Sequence, residues 1–141
     1  MIRLADIRDR LKTAPEIKLV QGAAEFRKLK TAPPAHNMPA AWVVPLAETA
    51  SPAKAVNAHR QALAVRFGVV LAVGDRSDAR GEAAGDALDE VKDAVHRVLV
   101  GWTPPGAADA IDYVGGEVME VETAALWWLA KYSVTDMLRG R

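Results

Sequence analysis

Between residues 63 and 73 the chain alternates strictly. Leu63, Val65, Phe67, Val69, Leu71 and Val73 fall on one side of an extended backbone, and Ala62, Ala64, Arg66, Gly68, Val70 and Ala72 on the other. A period of two predicts a strand, and a second face that is small instead of polar predicts a central one, covered on both sides. The period then changes. After a polar turn expected over residues 74–80, Ala84, Leu88, Val91, Val95 and Val98 form one stripe, with Glu82, Asp86, Asp89, Asp93 and Arg97 elsewhere. That is an amphipathic helix, running to about Leu99 and stopping at Gly101-Trp102-Thr103-Pro104-Pro105-Gly106.

The flanking segments carry weaker patterns. Leu4, Ile7 and Leu11 predict a first helix ending near Thr13, ahead of Pro15, with Asp6 and Arg10 spaced as an i,i+4 pair. Residues 17–20 read as a short strand, and residues 23–30 as a brief helix with a basic end at Arg27, Lys28 and Lys30. An irregular, proline-marked stretch follows to Pro39. Ala41-Trp42-Val43-Val44 is β-prone and is expected to stop near Pro45, leaving residues 48–57, with Ser51-Pro52, as a surface loop. Near the C-terminus residues 111–121 and 126–134 read as two strands turning near Glu122-Thr123-Ala124, and Gly115-Gly116 marks a bulge or a close backbone approach. The resulting order αβαββαββ predicts one domain over residues 1–141. The expected fold class is α+β: two layers, a mostly antiparallel sheet with helices packed on one face.

Composition narrows the function classes. The 141 residues are 50% hydrophobic with a formal net charge of zero, so a real core is affordable and no basic excess advertises duplex nucleic acid. With no cysteine there can be no disulfide, thiolate metal site or thiol nucleophile. The N-terminus has no apolar signal-like run, and the longest charge-free stretch, residues 31–47, carries four prolines, so a soluble protein without a membrane segment is expected. Gly74, Gly81 and Gly85 fit neither dinucleotide nor P-loop spacing. His36, His59 and His96 have no partner at ligand spacing, and Ser51, Ser77 and Ser133 lack a nucleophile-elbow context. No catalytic residue, metal site or cofactor is assigned.

Two features point to assembly. Adjacent Trp127 and Trp128 must face opposite sides of a strand, so one of them needs a helix or a neighbouring subunit to cover it. Charge is also unevenly placed. Residues 1–31 carry eight basic and four acidic side chains, whereas residues 109–122 carry Asp109, Asp112, Glu117, Glu120 and Glu122 and no base. Opposite patches on a neutral subunit suit a head-to-tail interface, here Arg27, Lys28 and Lys30 against Glu117, Glu120 and Glu122. A chance dipole is the alternative.

The ordered set of Ala41-Trp42-Val43-Val44-Pro45, Arg60-Gln61 before the long strand, Gly101-Trp102-x-Pro104 after the helix, the Gly115-Gly116 hairpin and Trp127-Trp128 resembles the tail terminator proteins of long-tailed bacteriophages. The resemblance covers nearly the whole chain. It implies a structural virion protein without cofactor or catalysis: a homo-oligomer, expected as a hexameric ring at the head–tail junction, assembled in the host cytoplasm. Such a ring caps the major tail tube protein, ends tube polymerisation and offers a surface to the head connector or neck protein, with phage DNA passing through its lumen. Ser51, Pro52, Lys54 and Asn57 are the expected tube or connector contact, and Trp102, between a helix end and a proline turn, the expected core anchor. A neck or head-completion protein is the alternative within phage biology, and a small enzyme using the acidic hairpin the alternative outside it.

Overall fold

A computed structural model describes residues 1–53, 58–74, 82–121 and 125–140, with the side chains of residues 82 and 83 left aside. The elements follow the order read from the sequence: α1 (Leu4–Leu11), β1 (Leu19–Gly22), α2 (Ala23–Arg27), β2 (Ala40–Ala50), β3 (Arg60–Val73), α3 (Glu82–Leu99), β4 (Asp112–Met119) and β5 (Leu126–Arg139), with one 3-10 turn at Ala35–Asn37. The class is α+β, built on a five-stranded sheet of order β1-β2-β3-β5-β4. Only the β1–β2 pairing is parallel.

The alternation in β3 places it at the centre, as expected. Phe67, Val69, Leu71 and Val73 enter the main core with Ile7 and Leu11 of α1 and Val91, Val95 and Leu99 of α3. Val70 and Ala72 enter a second, smaller core on the other face. Here the packing departs from helices on one face alone: the short α2 covers the second face, where Phe26 lies 5.8 Å from the Trp42 ring and 6.2 Å from Trp127. The same contact answers the Trp127-Trp128 question. Trp127 is buried against Trp42, the rings stacked at 5.4 Å, while Trp128 packs against the main core. Cover for the second face comes from within the chain, so the tryptophan pair by itself does not call for a neighbouring subunit.

Several boundaries move for identifiable reasons. Ile17 belongs to the turn after α1, its N–H bonded to the Ala14 carbonyl, so the first strand starts at Leu19. Pro45 does not end β2. The β1 pairing stops at Val43, so Pro45 stands on a free edge where its missing N–H costs no ladder bond, and a bulge between Pro45 and Ala47 carries the strand to Ala50. Residues 48–50 are therefore strand, not loop. The proline-marked stretch before β2 is tied down more than its pattern suggests, because Ala32 and Met38 pack on the second core. β5 runs on past Val134 to Arg139, paired with β3 as far as Arg60, and polar Asp136 is buried there: its carboxylate accepts the N–H of Ile2 at 3.0 Å and of Met137 at 2.7 Å. The turns expected at residues 75–80 and 122–124 lie outside the described residues.

Candidate subunit interface

Sheet order decides where the charged segments go. The N-terminal segment, residues 1–31 with eight basic and four acidic side chains, gathers at the β1–β2 edge through α1, β1 and α2, and the acidic β4 forms the opposite edge. Arg27, Lys28 and Lys30 are exposed on and after α2. Glu117 is exposed on β4, but its carboxylate is already held by Lys131 of its own sheet at 2.8 Å. Glu120 is exposed just beyond the end of β4, and Glu122 lies outside the described residues. The basic and acidic groups therefore stand on opposite borders of one subunit.

β4 is held tightly from beneath. Gly101, with φ +83°, turns the chain at the end of α3, and its N–H bonds the Ile111 carbonyl while the Ile111 N–H bonds the Trp102 carbonyl. These bonds deliver the strand to β5. A bulge between Tyr113 and Gly115, where Gly115 has φ +154°, then reverses the alternation, so Gly116 faces the Trp128 ring. Both readings of Gly115-Gly116 therefore apply: one glycine makes the bulge and the other permits the close approach. Lys92 lies over the Trp128 ring at 4.1 Å, and the buried Trp128 indole N–H has no hydrogen-bond partner among the described residues.

Under β4 sits a cluster whose titration is perturbed. The Tyr132 hydroxyl is 2.9 Å from His96 Nδ1, and Tyr113 stands edge-on to the His96 ring at 4.4 Å. Burial is the main cause holding the His96 pKa below its ordinary value; Lys92 adds to the effect and Asp93 opposes it. Burial, then the neighbouring Tyr113, raises the Tyr132 hydroxyl well above the usual tyrosine range. The cluster braces β4 against α3.

The remaining expected residues are scattered. Ser51 and Pro52 are exposed where β2 ends, with the Ser51 N–H bonded to the Ala62 carbonyl and its own carbonyl accepting from Gln61 Nε2 at 3.1 Å. Lys54 and Asn57 lie outside the described residues. Trp102 is half-buried at the margin of the main core, with the Arg10 guanidinium 4.9 Å from its ring centre and Arg10 Nε donating to the Val98 carbonyl at 2.8 Å. An open groove of about 370 Å³ lies between Ile2 and Leu4 of the N-terminal turn, the β2 bulge, Val65 and Arg66. Among the described residues, no three His, Asp or Glu side chains converge as metal ligands, and no helix is long and apolar enough to cross a membrane.

A family model described as phage tail terminator protein matches residues 1–141, the whole chain. The chain belongs to the phage tail terminator family. No curated protein matches it. Tail terminators are structural components of the phage virion that work with other tail and head proteins, so the features that matter on this terminator chain are its surfaces. Among those, the reading of the residues missed the exposed apolar side chains of β4: Tyr113, Val114 and Val118 are 40%, 44% and 55% exposed. The signal was present as a β-prone segment with no lysine, arginine or proline in it.

Proposed function

We propose that this terminator chain closes into a ring, of six subunits as the resemblance implies, on the head-proximal end of the tail tube. There it stops polymerisation of the major tube protein and presents a surface to the head connector or neck, while DNA passes through the lumen without sequence-specific contact. One observation carries the ring reading: the sheet puts an acidic strand on one border and the net-basic segment of residues 1–31 on the other. Each copy then offers different and complementary surfaces to its two neighbours, which is the requirement for a heterologous, closed assembly. Assembly takes place in the host cytoplasm and the finished ring stays at the head–tail junction. Ser51, Pro52, Lys54 and Asn57, around the β2–β3 connection, are assigned to contact with the tube or connector.

Light scattering of the purified chain, followed by co-purification with the tube protein, tests the proposal. Discrete rings that bind and cap tubes are expected. Rings that bind the connector and ignore the tube would replace the proposal with a neck or head-completion role.

A further inference from the structure

We propose that neighbouring subunits join by β-pairing, the outer edge of β4 in one copy adding to the outer edge of β1 in the next, so that the sheet continues across the seam. The inference rests on the ring reading above and specifies its geometry. Among the described residues no strand pairs with the outer edge of either β1 or β4. Both edges leave backbone donors and acceptors unpaired, and natural proteins protect such an edge or use it. β4 has neither proline nor lysine, and past its Tyr113–Gly115 bulge the stretch to Met119 pairs in regular register with β5 and exposes Val118.

Direction and level both fit. β4 runs parallel to β3 and so antiparallel to β1 and β2, which follows from the pairings across the sheet. Copies that share one orientation around an axis along the strands therefore bring β4 and β1 together antiparallel, and antiparallel pairing is the slightly more stable kind. The registers also place the two edges at the same height. Met119 is level with Trp127, Ala72, Ala40 and Leu19, and Gly116 with Ala130, Val69, Val43 and Gly22. Val118 is on the level of Trp128, Leu71, Ala41 and Val20, so an unstaggered seam sets Val118 opposite Val20 of the next copy.

Charge chooses the occupant. A twofold β4–β4 pairing runs antiparallel and would lay one edge carrying Asp112, Glu117 and Glu120 and no base along another, with Asp112 opposite Glu120 when centred on Gly116, and like charges directly opposed on a sheet are destabilising. A β4–β1 seam sets the same acids on the border that carries Lys18, Arg27, Lys28 and Lys30. The partner is thus a second copy of this chain, joined head to tail.

Because the chain has no cysteine, the seam can be trapped by oxidation of Val118→Cys together with Val20→Cys, or with Lys18→Cys for a two-residue slip. The expected result is a covalent ladder of subunits from one of these pairs, and slowed amide exchange over residues 115–119 and 19–22 in rings relative to diluted monomer. Rings that show neither link, or unchanged exchange over 115–119, overturn the seam and leave the ring reading intact. Disulfide dimers formed by Val118→Cys alone as the main product overturn it in favour of twofold pairing. A chain that stays monomeric at every concentration removes the ring reading itself, and the seam with it.

Discussion

Gly116 lies against the indole of Trp128 so closely that a Cβ added at position 116 would stand 2.6 Å from Trp128 Cζ2 and 2.7 Å from the Tyr113 hydroxyl. Trp128 cannot give way cheaply, because it also packs on the main core and under Lys92. Gly116→Ala is expected to cost about 1–3 kcal/mol, the range for overpacking, and to loosen β4 in preference to the central strands. Urea unfolding measures the first effect. Amide exchange over residues 112–119 compared with residues 60–73 measures the second, and equal exchange in wild type and variant would refute the bracing of β4.

Trp42 and Trp102 separate a buried tryptophan from one at the margin. Trp42 is fully buried, stacked on Trp127, and donates its indole N–H to Gln21 Oε1 at 3.1 Å. Trp42→Ala is expected to cost about 3–5 kcal/mol, a large part of a typical domain's stability. Trp102→Ala should cost less, since half-burial forfeits less transfer energy and leaves no closed cavity. If thermal unfolding ranked the two the other way, Trp102 would be the anchor after all.

Asp136 fastens the N-terminus to β5. Asp136→Ala would leave the N–H groups of Ile2 and Met137 without their acceptor, at about 1–3 kcal/mol for each group that stays buried and unpaired. Asp136→Asn keeps one carbonyl oxygen and should be milder. Chemical denaturation of the two variants checks the order, and faster exchange at the Ile2 amide in Asp136→Ala checks the cause.

His96 gives the fold a pH dependence of defined sign. Its folded-state pKa lies below the ordinary 6.5, chiefly through burial, so the unfolded chain binds the proton more readily. The stability this group contributes is complete above pH 6.5 and is lost as pH falls from there through the folded-state value. The melting temperature should therefore drop between neutral pH and mildly acid pH, and His96→Gln should flatten that part of the profile. An unchanged profile in the variant would assign the effect to other groups.

Charge reversal at the acidic border should act on assembly and not on fold. Glu120 is the cleaner site, because Glu117 already pairs with Lys131 and Glu117→Lys would set two cations together within one subunit. Each exposed pair contributes about 0–1 kcal/mol, so Glu120→Lys is expected to weaken rings most at low salt while circular dichroism stays native. Ring formation by light scattering across a salt series is the measurement.

The chain's own pattern determined what is local. The period-two run of β3, the stripe of α3, the break at Gly101 and the glycine pair of β4 each depend on neighbours within a few residues, so their physics is written consecutively. Sheet order is a different matter, because β1 and β4 are far apart in sequence and only the completed sheet makes them opposite borders. Pro45 reads as a stop until the structure shows a free edge beside it, where no hydrogen bond is lost. The last strand reads as ending at Val134 until β3 pairs with it to Arg139 and the N–H of Ile2, from the far end of the chain, satisfies the buried Asp136. One of Trp127 and Trp128 reads as needing cover until the structure turns Trp127 to the second face and Phe26 closes over it. In each case the deciding partner is distant in sequence, and burial, pairing and edge position are set by that partner; periodicity cannot supply it.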